Sequence, residues 1–160
     1  MPGDELVRPT RWGSCWSRWP LSVWRDAPRR PLPATEAGGD GWQTREGQAV
    51  WQPRRTAPPI AGELLLITHA NGDCILRFSK TPLPVVTARQ SGSRWEVEFP
   101  ARSRRYGGKG AGTGRLLWSL LPAALRDAPL PPGVTFHRGD GTWRLANERT
   151  GESIEGFLSP

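Results

Sequence analysis

The sequence predicts a mainly β (α+β) protein, a curved antiparallel meander or half-barrel of about eight strands with one helical segment over its concave face. Three observations carry that expectation. From Trp42 onward, short runs rich in β-branched and aromatic residues alternate with turn residues. The gaps between most runs are too short for helical crossovers, so successive strands are antiparallel neighbours. One segment, residues 113–128, has helical rather than two-residue periodicity.

"GQAVWQP" (47–53), "AGELLLITH" (61–69), "DCILRFS" (73–79) and "PVVTAR" (84–89) supply the first four strands. Asn71-Gly72 separates the second from the third, and such a pair accepts the positive φ that a tight hairpin requires. Ser91-Gly92 marks the next turn. "RWEVEFP" (94–100) alternates Trp95, Val97 and Phe99 with Glu96 and Glu98, which predicts one buried face and one facing water. "VTFHR" (134–138), "TWRLAN" (142–147) and "SIEGFL" (153–158) supply the last three strands, with turns at Asp140-Gly141 and Thr150-Gly151.

"TGRLLWSLLPAALRDA" (113–128) puts Leu117, Leu120, Leu121, Ala124 and Leu125 on one helical face. Pro122 lacks a backbone donor, so the segment is either one kinked helix or two, with Ser119 capping the second. Pro129, Pro131, Pro132 and Gly133 stop it. Its apolar stripe needs a large partner, and the concave face of the sheet is the one available.

Ahead of the helix lies "RRYGGKGAGTGRLLW" (105–119), whose glycines invite comparison with phosphate-binding loops. The spacing excludes both common patterns. A P-loop needs Ser or Thr directly after its lysine, but Gly110 follows Lys109. A dinucleotide loop needs a third glycine where this chain has Thr113 or Arg115, depending on the frame. The segment is expected to be a flexible basic linker that binds no nucleotide.

The chain of 160 residues has the length of one domain and carries a net charge of +7. A basic surface attracts nucleic acid, anionic lipid or acidic protein without choosing among them. Residues 1–40 hold four of the nine tryptophans (Trp12, Trp16, Trp19, Trp24) and six prolines without periodicity. That composition predicts an unstructured leader over 1–40 and a single domain over 41–160. No run of roughly 7 to 15 apolar residues follows a basic start, so no export signal is visible in the chain as written. "GSC" (13–15) has the small residues that precede a lipidated cysteine but no apolar segment before them.

Nothing resembles a catalytic constellation. His69 and His137 have no Ser or Cys beside them in a nucleophile motif. Cys15 and Cys74 are too few for a disulfide framework, and Cys74 lies in an apolar run that predicts a buried free thiol. Cys74 and His69 flank one hairpin, but a zinc site wants three or four ligands. Asp140, Glu148, Glu152 and Glu155 fall in the C-terminal hairpins and are expected to be solvated. The expectation is no enzyme, no cofactor and no metal.

The C-terminal 120 residues or so resemble the LolA/LolB group of periplasmic lipoprotein carriers, the LolB branch most of all. The likeness rests on "SKTPLPVV" between two strands, the Trp-bearing strand after it, "GRLLWSLLPAALRDAPLP" and the final strands. It implies a half-barrel whose apolar cavity accepts lipoprotein acyl chains or lipid, without catalysis. It also implies a periplasmic or outer-membrane location, a periplasmic carrier protein and the outer-membrane surface as partners, and a monomer. Leu83 matches the family's protruding leucine, which aids transfer to the membrane, and Pro82 and Pro84 are expected to hold it outward. The sequence departs from the family in placing Pro84 where LolB has glycine, and in lacking a lipidation signal.

A helix resting on a curved sheet rarely fills the concavity. An apolar cavity is therefore expected there, with Trp51, Trp95, Val97, Phe99, Leu117, Trp118, Leu121 and Trp143 as ligand-binding candidates and Leu83 as the membrane-insertion candidate. Capture of an acyl chain by such a cavity is expected to depend little on charge. The alternative is a basic β-sheet module for single-stranded nucleic acid, since "ARSRRYGGKGAGTGR" interleaves an aromatic with phosphate-binding residues.

Overall fold

The computed structural model describes residues 41–160, so the leader expected over 1–40 lies outside the described residues. The described chain is nine antiparallel strands in one curved, unclosed sheet with a single helix. The strands are β1 (Trp42–Gln52), β2 (Ile60–His69), β3 (Cys74–Lys80), β4 (Leu83–Ser91), β5 (Arg94–Phe99) and β6 (Arg104–Lys109). The helix α1 (Leu117–Ala124) follows, then β7 (Val134–Gly139), β8 (Thr142–Asn147) and β9 (Ser153–Leu158).

The strands lie in the order β6-β5-β4-β3-β2-β1-β9-β8-β7. The chain finishes its first meander at one edge and begins its second at the other. Residues 110–133 must therefore cross a face of the sheet, and α1 is the helical part of that crossing. β9 returns to the middle and pairs with β1, with Gly47 opposite Leu158 and Trp51 opposite Ile154.

Alternation sorts the side chains as the sequence predicts. Trp51, Leu64, Leu66, Leu76, Phe78, Val97, Leu145 and Ile154 are buried in one core. All eight residues of α1 are buried, not only its apolar stripe. Trp118 stacks on Phe78 at 5.1 Å between ring centres and meets Trp51 edge-on at 5.7 Å. The helix therefore packs directly onto the sheet at its centre.

At Asp140-Gly141, φ is 47° and 77°, and positive values at both positions suit the twist of a two-residue hairpin. Pro122 sits inside one continuous helix rather than opening a second, and it removes only the single bond that its N–H would have made. Ser119 does not cap a second helix. Its Oγ donates to Leu116 O at 2.7 Å and accepts from Thr113 N at 2.9 Å, fastening the turn ahead of the helix.

The expectation of a flexible linker at 105–114 is corrected. Its first half is β6, the strand beyond the eight expected from the sequence, paired with β5 from Phe99↔Arg104 to Arg94↔Lys109. Trp95 lies across Gly108, where a Cβ would come within 2.9 Å of the indole. Gly112, at φ 115°, packs on the helix, where a Cβ would lie 2.6 Å from Ser119 O. These two glycines allow close approach of neighbouring groups.

The water-facing reading of Glu96 is also corrected. Glu96 is only 2% exposed, between Arg89 at 3.5 Å and Arg105 at 3.8 Å. The long stems of two arginines cover a carboxylate that would otherwise lie open.

Candidate ligand-binding site

A cavity of about 680 Å³ opens on the helix side of the sheet, at the end where the β1–β2 loop faces β5, β6 and the segment leading into α1. Trp51, near the end of β1, and Phe99, the last residue of β5, form its aromatic wall, with ring centres 5.9 Å apart. Tyr106 of β6 meets Phe99 edge-on at 6.0 Å. Ile60 and Leu116 extend the apolar lining.

Strand register decides which basic residues reach this cavity. Phe99 pairs with Arg104 and Val97 with Tyr106, so both β6 residues share the core-facing parity of their partners. Arg105, between them, points the other way and meets Glu98 at 3.4 Å as well as Glu96. Pro100 ends β5 and opens a short 3-10 turn, Pro100–Arg102, that brings Arg102 to the rim. Arg54 reaches it from the β1–β2 loop and Arg115 from the segment before α1.

Glu152 closes the inner wall. The side chain of Asn147 shapes the β8–β9 turn by accepting from Arg149 N at 2.9 Å and Thr150 N at 3.1 Å. Thr150 Oγ1 then accepts from Glu152 N at 3.2 Å. So held, the Glu152 carboxylate accepts from Trp51 Nε1 at 3.0 Å and from Leu117 N, the first residue of α1, at 3.5 Å. The expectation of a solvated turn acid is corrected here: Glu152 is 6% exposed. Burial pushes its carboxyl up to about 6, against the pull of those two hydrogen bonds.

A larger groove of about 910 Å³ crosses β3, β2, β1, β9, β8 and β7. Its walls include Gln48, Val50, Ala61, Glu63 and Phe157, which alternate with the core residues Ala49, Trp51, Leu64 and Leu158. That parity turns much of the groove away from α1.

Of the candidates expected from the sequence, Trp51 and Phe99 line the smaller cavity and Trp143 the larger groove. Trp95, Val97, Leu117, Trp118 and Leu121 are core residues that line neither. Leu83 opens β4 opposite Lys80 and is 68% exposed. Sequence reasoning missed Tyr106, Glu152 and the inward arginines as one group. Arg104 and Tyr106 carry no apolar alternation of their own, and only the register of β6 against β5 places them.

His69 Nδ1 accepts from Asn71 N at 3.2 Å, and its ring lies 4.8 Å from that of Trp42. Cys74 is a free, buried thiol that burial pushes up to about 12. Among the described residues, no group of three or more His, Cys, Asp or Glu is placed to hold a metal ion, and no helix is long and apolar enough to cross a membrane. The chain matches no protein-family model and no curated protein sequence.

Proposed function

We propose that the protein is a non-catalytic binder of acyl chains, which takes the chain into the cavity beside Trp51 and Phe99 and delivers it to, or holds it at, a membrane surface. The observation that carries this reading is the aromatic-walled cavity of about 680 Å³ at the end of an unclosed sheet. That volume falls within the range of about 300–1,000 Å³ usual for small-molecule sites. The exposed Leu83 beside Pro82 and Pro84 supplies an apolar contact for a bilayer. The resemblance to LolA/LolB-like carriers supports a lipoprotein or lipid cargo, and a periplasmic or outer-membrane setting with a periplasmic carrier as partner.

Each methylene that leaves water contributes roughly 0.8 kcal/mol, or about fourfold in affinity. Binding of fatty acyl probes to the full chain is expected to strengthen with chain length and then level off as the cavity fills. Affinity independent of acyl length sinks the proposal.

The second reading, single-stranded nucleic acid, draws support from Arg102, Arg104 and Arg115 beside Tyr106. Both readings use the same arginines, and only the acyl reading predicts an affinity that rises with the length of an apolar chain.

A further inference from the structure

We infer that the ligand of this cavity carries an anionic head, a carboxylate or a phosphate, held by Arg54, Arg102, Arg104 and Arg115 while its apolar chain lies along Trp51 and Phe99. The inference rests on the acyl-chain reading above and names the class of amphiphile that the site selects.

The arginines of the domain are used in two ways. Arg89, Arg105, Arg138 and Arg144 each face a carboxylate, and Arg45, Arg55 and Arg126 each donate to a carbonyl or side-chain oxygen. Seven described arginines have no such partner; Arg77, Arg94 and Arg149 lie apart from the cavity, whereas Arg54, Arg102, Arg104 and Arg115 all line it. They come from three separate parts of the fold: the β1–β2 loop, the β5–β6 connection with its following strand, and the approach to α1.

The cavity contains one carboxylate, and it does not answer them. Both Glu152 oxygens are engaged by Trp51 Nε1 and Leu117 N, and no arginine pairs with it among the described residues. Four cations around an aromatic wall repel one another, and a bound anion relieves that repulsion. Guanidinium forks suit the two or three oxygens of a carboxylate or phosphate, which both accept bidentate hydrogen bonds. An alcohol or a neutral ester offers no such acceptor set. The earlier expectation that charge matters little to capture changes accordingly.

The test compares three probes with one tail: hexadecanoic acid, hexadecyl phosphate and hexadecanol. Each displaces a fluorescent acyl probe from the full chain at low and high salt. The acid and the phosphate are expected to bind at least tenfold more tightly than the alcohol, and the gap is expected to narrow as salt screens the rim. The double variant Arg102→Ala/Arg104→Ala is expected to weaken the acid severalfold toward the level of the alcohol while leaving the alcohol unchanged. Arg77→Ala, an exposed arginine outside the cavity, is expected to change nothing.

Sedimentation with vesicles separates the sources of the head. Retention by anionic but not zwitterionic vesicles, lost in the double variant, supports a lipid headgroup. Acid binding without vesicle retention supports a free amphiphile. Equal affinity for acid and alcohol overturns the head assignment and leaves the acyl reading standing. Binding of none of the three overturns both. Displacement of the probe by oligothymidylate as effectively as by the acid overturns the inference in favour of nucleic acid.

Discussion

Trp51 Nε1 donates to Glu152 Oε1 across 3.0 Å, a bond between residues 101 positions apart that ties the end of β1 to the β8–β9 turn. The same carboxylate receives the first N–H of α1, so sheet, turn and helix converge on one buried acid. An anion at a helix start is favoured by the exposed N–H groups there, which offsets part of the cost of burying the carboxylate.

That acid gives the fold a pH signature. Its carboxyl is raised from 4.5 to about 6, so between those values the folded protein keeps a proton that the unfolded chain has released. Stability from this group therefore falls as pH rises through the window, by about 2 kcal/mol in all, and is flat on either side. Glu152→Gln removes the effect. The measurement is urea unfolding of both proteins from pH 4 to 7, with the variant curve subtracted; an unchanged difference across the window refutes the assignment.

The glycines after β6 divide into two kinds. Gly110 and Gly112 both have positive φ, at 88° and 115°, but only Gly112 lacks room for a Cβ. Gly110→Ala is expected to cost about 1 kcal/mol through backbone strain alone. Gly112→Ala adds a clash with the helix backbone and is expected to cost at least about 2 kcal/mol more. Denaturant midpoints of the two variants check this, and equal, near-zero losses would restore the linker reading.

Under the proposed function, Leu83 tests delivery separately from capture. It is exposed and opens a strand at its first pair, so Leu83→Glu is expected to change stability by less than about 0.5 kcal/mol and to leave acyl-probe affinity as it was. Transfer of a lipidated cargo to vesicles is expected to slow, because a carboxylate enters a bilayer at a cost of about 2–4 kcal/mol. Binding and transfer lost in equal measure would show that Leu83 belongs to the capture step instead.

The residues that announced themselves in the sequence are those whose own side chains state their environment. Trp95, Val97 and Phe99 mark β5 by alternation, and Asp140-Gly141 marks its hairpin by φ preference. β6 gave no such sign, because "RRYGGK" has one aromatic and no apolar alternation. Its strand character comes from its partner: β5 supplies the ladder, and the Trp95 indole occupies the space above Gly108. Glu152 was hidden for a related reason. Ile154, two positions on, marks the start of β9 but says nothing of a turn acid before it, and the groups that hold Glu152 arrive from Trp51 and Leu117, 101 and 35 residues away.

The central place of β1 has a consequence for the order of events as the chain is made. β1 is the first strand of the described sheet to leave the ribosome and β9 the last, yet the two are neighbours, paired from Gly47↔Leu158 to Gln52↔Ser153. One flank of β1 can join β2 at once through a short loop. The other flank stays an open template, with its N–H and C=O groups unanswered, until nearly the whole domain has been synthesised. Pairings of such long sequence separation are slow to form because loop closure precedes their reward. Completion of the fold therefore waits on the final strand, and a chain that stops short of Ser153 is left with a bare edge at its centre, where other chains can pair.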